Sequence, residues 1–173
     1  KRWRGTEAEM AAAIPAGAEN VQVTRTEARN ETFVTQGEAT QTALTPIGKG
    51  LEIVPLTHPS DLAAGKPARF RALIDGKPAP DLDITIVPGG GRFRAATGDM
   101  SIKTDAAGEM SVTFPVAGMV WLGASWPRRE QTLSSAEGKP AMPAAEGAPP
   151  PAPRAPAPPR RLSYSATYEV APF

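Results

Sequence analysis

The chain has 173 residues, enough for one domain and a short additional unit. Its 19 basic and 18 acidic residues give a net charge of +1, which argues against a broad cationic surface for nucleic acid or anionic lipid. It has no cysteine, which excludes disulfides, thiolate metal sites and a cysteine nucleophile. No apolar run reaches the ~18 residues of a membrane-spanning helix.

The first part of the chain contains a helix signal and a β-compatible segment. Thr6 and Glu9 form a capping box, and the residues that follow favour a short helix that ends near Pro15. The threonine-rich stretch 21–35 predicts one long edge strand or two short strands. The stretch 37–50 is typical of a linker.

Alternating apolar residues begin at residue 51. Residues 51–53 predict a strand that Pro55 keeps short or at a sheet edge, since proline cannot donate to a ladder. The segment 68–74 alternates cleanly, and a tight turn at 75–76 follows it. The inward apolar residues of 82–86 then predict that the two segments form a hairpin.

Further strands are predicted at 100–102, 110–114 and 119–126. Apolar residues on both sides of the third segment indicate a strand that is covered on both faces or central in its sheet. Trp121 and Trp126 should point to opposite sides of this strand, one into the core and one outward. Seven or so strands with turn residues between them are typical of a β-sandwich.

A proline-rich loop separates the last strand from the others. Between Lys139 and Arg160 proline alternates with alanine, which favours extended polyproline II and cannot build a core. The segment 161–170 then alternates without a fault, so this strand should return to the sheet after the loop. The loop itself is either a plain spacer or a ligand for an aromatic groove.

Four segments together resemble a known family. They are the stretches 50–59, 75–78, 104–108 and 164–170, and the segment 31–35 is also similar to one that precedes this domain in the family. The family is an uncharacterised bacterial periplasmic one, catalogued as a domain of unknown function and labelled a periplasmic component of nickel or cobalt uptake.

The resemblance implies an all-β, immunoglobulin-like or prealbumin-like antiparallel sandwich. It implies that residues 1–47 are the remnant of an upstream domain with a short helix and strand, followed by a linker. Residues 48–173 would then form the sandwich, with a proline-rich insertion at 137–160 before the last strand. It also implies export to the periplasm with a removed signal peptide, which agrees with a start at Lys1.

A weak metal-binding pattern lies in the segment 58–61. His58 is the only histidine, so a multi-histidine nickel or zinc site within one chain is excluded. Ni²⁺ prefers imidazole, and a carboxylate can join it, which makes His58 and Asp61 candidate ligands for a divalent transition metal, with Glu52 as a further carboxylate. Alternatively, Ser60 or Asp61 caps backbone N–H groups of a turn. A metal could also be shared between chains.

The residues give little support for catalysis. There is no Gly-x-Ser-x-Gly turn, and no Lys-Ser/Thr pair follows the glycine run 89–91. We therefore expect a non-catalytic periplasmic accessory module of metal uptake, with a membrane transporter or outer-membrane receptor component as partner. The alternative is a structural or adaptor module that binds another protein through the proline-rich loop and its edge strands.

Overall fold

The structure is a computed structural model that describes residues 3–93, 95–127 and 159–173. One helix, α1 (Glu7–Ala13), precedes nine strands. These are β1 (Arg25–Thr32), β2 (Leu51–Pro55), β3 (Pro67–Ile74), β4 (Lys77–Pro78), β5 (Asp83–Pro88), β6 (Met100–Lys103), β7 (Glu109–Thr113), β8 (Gly118–Trp126) and β9 (Arg160–Val170). Short 3₁₀ turns lie at Thr42–Leu44, Pro59–Asp61 and Gly91–Phe93.

The strands form two sheets, which confirms the all-β sandwich. The five-stranded sheet has the order β1-β9-β8-β5-β6, and in the four-stranded sheet β3 pairs with β2, β4 and β7. Among the described strands every pair is antiparallel except that of β1 with β9, which is parallel from Arg25↔Arg160 to Thr32↔Thr167. The purely antiparallel sheet expected from the sequence therefore needs this correction at one edge.

The helix begins where the capping box predicts it. Thr6 is the N-cap, and Glu9 Oε2 accepts hydrogen bonds from the Thr6 backbone N–H at 2.9 Å and from the Thr6 hydroxyl at 2.8 Å. Among the described side chains of α1, none joins the buried cluster. No helix in the described residues is long and apolar enough to span a membrane.

The predicted hairpin between the segments 68–74 and 82–86 is wrong. After the turn, β4 pairs with β3 at only two positions, and the chain then crosses to the other sheet, where β5 pairs with β6 and β8. Pro78 and Pro80 explain the crossing, because neither has the N–H group that would extend a ladder. Asp81, with a positive φ of 54°, then redirects the chain.

The last strand is the one that the alternation predicts. Its five inward residues, Leu162, Tyr164, Ala166, Tyr168 and Val170, are each at most 2% exposed. It pairs with β8 from Gly118↔Val170 to Trp126↔Leu162. The predicted insertion lies almost wholly outside the described residues, although Arg160 already belongs to β9.

The core lies between the two sheets. Phe70 of the four-stranded sheet is fully buried and meets the Tyr168 ring edge-on, with 5.5 Å between the ring centroids. Ile84 and Leu122 of the other sheet are also fully buried. Each such side chain stabilises the fold by about 1.5–3 kcal/mol, so these facing positions hold the layers together.

Candidate functional site

The outer face of the five-stranded sheet carries a row of small polar residues that crosses four of its strands. Register pairs Asn30 with Ser165, Ser165 with Gly123, and Gly123 with Thr85. Paired residues point to the same side of a sheet, so the row forms one continuous strip. Ser165 Oγ donates to Asn30 Oδ1 at 2.5 Å, which joins β9 to β1 across this surface.

Trp121 lies over the middle of this row. A Cβ atom added at Gly123 would lie 2.1 Å from Trp121 Cη2 and 2.4 Å from Cζ2. The indole therefore occupies the space above the glycine, and no other residue at position 123 would leave it there. A glycine inside a strand weakens the strand and often marks a close approach.

Trp121 and Trp126 are both exposed, at 41% and 38%. The prediction that one of them enters the core is therefore wrong. Strand β8 is central in its sheet, as expected, but the described residues cover only one of its faces: Val120 and Leu122 are buried, whereas Met119 and Trp121 face outward. Trp126 is on the inward side by alternation, and it lies at the end of the strand.

The row and the tryptophan line a shallow groove of about 400 Å³. Its lining includes Ser125, Ser163 and Asp83 in addition to the row itself. Among the described lining residues Asp83 carries the one charge, and Lys103 of the neighbouring strand lies 4.0 Å from its Oδ1. The groove is thus rich in hydroxyl groups, nearly neutral, and has one large aromatic surface.

His58 lies at the start of the 3₁₀ turn Pro59–Asp61 and is 9% exposed. Its Nδ1 accepts from the Ser60 backbone N–H at 3.2 Å and lies 2.6 Å from Ser60 Oγ. Its Nε2 lies 3.2 Å from the Thr40 carbonyl oxygen. Because Nδ1 is an acceptor, the ring proton lies on Nε2, which donates a hydrogen bond to the Thr40 carbonyl oxygen. Both ring nitrogens therefore have protein partners.

The two carboxylates that accompany His58 in the sequence have different surroundings. Asp61 is exposed in the same turn, and its backbone N–H donates to the His58 carbonyl at 2.9 Å. Glu52 is 3% exposed and accepts from Arg29 Nη1 at 3.0 Å and from the backbone N–H groups of Ile47 and Gly48. Across the described residues, no three histidine, aspartate or glutamate side chains form a group suited to a metal ion. The metal role of His58 and Asp61 stays a prediction.

A polar network ties β1 to the core. The Tyr164 hydroxyl donates to Glu31 Oε2 at 2.6 Å, and Arg29 Nε donates to Glu31 Oε1 at 2.5 Å. Burial is the main cause that raises the pKa of Tyr164. The Tyr168 hydroxyl is also buried, and it has no hydrogen-bond partner of regular geometry among the described residues.

A second polar cluster lies where the pairing of β1 with β9 begins. Arg160 Nε and Nη2 donate to Glu27 at 2.9 and 2.8 Å, and Nη2 also donates to Asp75 Oδ1 at 3.0 Å. The Arg160 guanidinium and the Gly50 N–H lower the pKa of Asp75 to about 2, and Arg160 also lowers the pKa of Glu27. In both clusters the arginine and the carboxylates attract each other, and this attraction holds the charged side chains in place.

The groove was not predicted from the sequence, although the sequence contains a signal for it. The outward positions of β9 are Ser163, Ser165 and Thr167, and β8 places a serine and a glycine on the same side. Such a run of small polar residues beside an outward tryptophan indicates an open face. The expectation that one of Trp121 and Trp126 enters the core concealed that pattern.

The fold and the groove define a two-layer β-sandwich with one open, polar sheet face. The chain belongs to the family described as Domain of unknown function (DUF4198), whose model matches residues 2–128. This confirms the resemblance to a family of unknown function. The match includes α1 and β1 and ends before β9. No curated protein and no solved structure matches the chain.

Proposed function

We propose that the protein is a non-catalytic binding module of the periplasm that assists the uptake of a transition metal of the nickel or cobalt type. The resemblance of the segments 50–59 and 164–170 to an uptake-associated family supports the periplasmic location and the link to metal uptake. The binding role rests on one observation: the outer side of the central strand β8 exposes Trp121 at 41%, while Leu122 beside it is fully buried. Exposed tryptophan is enriched where proteins bind ligands and partners.

The module acts as an accessory, with a membrane transporter or an outer-membrane receptor as the component that moves the metal. The hydrogen bonds of His58 support this division, because its ring nitrogens already have partners in Thr40 and Ser60. A metal at His58 would have to displace one of them. The accessory role needs no tight metal site in this chain.

Uptake by cells tests the proposal. A strain that lacks the gene should accumulate less nickel or cobalt than its parent from a medium in which these metals are scarce. A plasmid copy of the gene should restore accumulation. Equal accumulation by the parent and the deletion strain would overturn the uptake role.

Calorimetry of the purified protein with Ni²⁺, Co²⁺ and Cu²⁺ separates an accessory from a carrier. We expect no binding tighter than ~100 μM, a free energy of only about −5.5 kcal/mol. Tighter binding would make this chain a metal carrier itself, and its loss in His58→Ala would assign the site to that residue.

A second candidate is an adaptor that binds another protein without a metal. The observation that favours it is the edge strand β6, which has only four residues and pairs only with β5 among the described strands. Such an edge can accept an added strand, and the proline-rich stretch supplies a second contact. Deletion of 139–158 should then abolish binding to a purified partner and leave the melting temperature unchanged. Loss of both would give the stretch a structural role.

A further inference from the structure

We propose that the groove over Gly123 is a binding site for a neutral carbohydrate, with Trp121 as the platform for a sugar ring. The inference rests on the proposed function only in that the chain is a binding module. It adds the site and the class of ligand, and neither depends on metal uptake.

The tryptophan supplies the apolar half of the recognition. The six-membered ring of the indole lies against the sheet at Gly123, with Cη2 2.1 Å from the position that a Cβ atom would take. Its 41% exposure leaves surface for contact with a ligand. The face of an aromatic ring is electronegative, and the C–H groups on one side of a sugar ring are weakly electropositive, so the two stack.

Hydroxyl and amide groups supply the polar half. Ser165, Asn30 and Thr85 lie in the row beneath and beside the indole, and Ser125 and Ser163 continue the lining. Each serine or threonine hydroxyl both donates and accepts, which suits the hydroxyl groups of a sugar. Neighbouring strands are ~4.8 Å apart, so these groups recur across the groove at intervals comparable to the width of a sugar ring.

The charge of the groove selects against other ligands. Its described lining contains no arginine or lysine to hold a phosphate, and its one carboxylate, Asp83, faces Lys103 at 4.0 Å. A polyproline segment binds between several aromatic side chains, whereas Trp121 is the one aromatic ring exposed in this lining, since Tyr164 is 2% exposed. A neutral ligand rich in hydroxyl groups fits best.

The test titrates the purified full chain with neutral oligosaccharides and follows tryptophan fluorescence and heat. The probes are hexamers of β-1,4-linked glucose, β-1,4-linked N-acetylglucosamine and α-1,4-linked glucose, each up to 10 mM. We expect saturation by at least one of them. Trp121→Ala should weaken that binding at least tenfold, and Ser165→Ala with Thr85→Ala should weaken it several-fold.

Two controls make the outcome specific. Trp3→Ala removes a 46% exposed tryptophan outside the groove and should leave the affinity unchanged. A synthetic peptide of residues 139–158 is titrated in parallel as the competing class of ligand. The thermal melt of each variant reports whether it is folded, and Trp121→Phe, which keeps a ring, should retain part of the affinity.

Three results would overturn the proposal: no saturable binding of any probe, binding that survives Trp121→Ala in a folded protein, or saturation by the peptide alone. None of them bears on metal accumulation by the deletion strain. Conversely, equal metal accumulation in parent and deletion strain would remove the uptake role and leave a measured carbohydrate affinity intact.

Discussion

Two tyrosines of β9 are similarly buried and differ in their hydrogen bonds. Tyr164 and Tyr168 are 2% and 1% exposed. The hydroxyl of Tyr164 donates to Glu31 and lies 3.3 Å from the Ile53 carbonyl oxygen, whereas that of Tyr168 has no partner of regular geometry within the described residues. The ring of Tyr168 stacks on Phe33 at 5.0 Å instead. The first tyrosine is thus held by its hydroxyl and the second by its ring.

This difference predicts that replacing each tyrosine by phenylalanine changes the stability of the protein differently. Tyr164→Phe should lower the free energy of unfolding by about 1–2 kcal/mol, because the Glu31 carboxylate loses a buried donor. Tyr168→Phe removes a buried hydroxyl that has no partner of regular geometry among the described residues, so stability should stay equal or rise slightly. Urea denaturation of both variants measures the two changes. A larger loss for Tyr168→Phe would reveal a partner for its hydroxyl.

His58 provides a prediction about structure and metal together. The ring links the segment around Thr40 to the 3₁₀ turn, so His58→Ala should reduce the free energy of unfolding by about 1–3 kcal/mol. We expect calorimetry to show the same weak affinity for Ni²⁺ before and after the change. Asp61→Asn is the matched control, since it keeps the turn and removes the second candidate ligand. If the stability of His58→Ala stays unchanged while its nickel affinity falls, the result would support a metal role for His58.

The alternation of single residues predicted burial well where a strand packs on one side. All five inward residues of β9 and the inward Phe70 and Ile84 are buried as expected. The same rule could not place Trp121, because it gives the side of a strand and says nothing about whether that side is covered. Gly123, two positions after Trp121, was the residue that could have indicated an exposed indole.

The pairing of β1 with β9 is stabilised at its start by the Arg160 cluster. One guanidinium there pairs with both Glu27 and Asp75, and these carboxylates belong to β1 and to the turn after β3. The cluster therefore connects the edge of the five-stranded sheet to the other layer. Strand contacts of this kind are set by residues far apart in sequence, which is why the sequence showed none of them.

The lowered pKa values predict how stability depends on pH. A carboxyl whose folded pKa lies below its unfolded value of ~3.9 or ~4.3 stabilises the protein above that value and loses this effect as the pH falls toward the folded pKa. For Asp75 the folded pKa is about 2, and that of Glu27 is also lowered. The melting temperature should therefore fall between about pH 4 and pH 2. Arg160→Ala should melt lower than the wild type at pH 7 and decline less steeply in this range.

Arg161→Ala is the control for charge, because it removes an exposed arginine from the neighbouring position of the same strand. Its melting curve should follow the wild type at every pH. The assignment to Arg160 fails if the gap between wild type and Arg160→Ala is as large at pH 2 as at pH 7.

The order of the strands in the sheets was the least predictable feature. Strand positions and turns followed from alternation and from glycine and proline, yet the partners of β3 and β5 did not. Adjacent strands in sequence usually pair, and that tendency favours a hairpin here. The prolines at 78 and 80 block it, and the chain instead crosses to the other sheet, where β5 pairs with β6 and β8.

The sandwich as a whole includes residues from both sides of the predicted boundary at 47/48. Strand β1 pairs with β9 along all eight of its residues, and Phe33 packs against the buried cluster. The polar contacts of Glu31 and Glu27 reach β9 as well. The segment 25–33 therefore completes one edge of the structure.

Truncation tests this integration, and two shortened chains form a matched pair. A chain that starts at residue 21 loses α1, whose described side chains lie outside the buried cluster, and should melt within ~3 °C of the full chain. A chain that starts at residue 48 exposes the edge of β9 and uncovers Tyr164 and Tyr168. Its melting temperature should fall by at least ~10 °C, or its cooperative transition should disappear.

Addition of a synthetic peptide of residues 21–36 distinguishes a missing strand from general damage. The peptide carries β1 with Phe33, so it should raise the melting temperature of the 48–173 chain in proportion to its concentration. A peptide with Glu27→Gln and Glu31→Gln should be weaker, because Arg160 and Tyr164 lose their charged partners. If the 48–173 chain melts like the full chain, β1 contributes nothing essential and the boundary at 47/48 separates independent units.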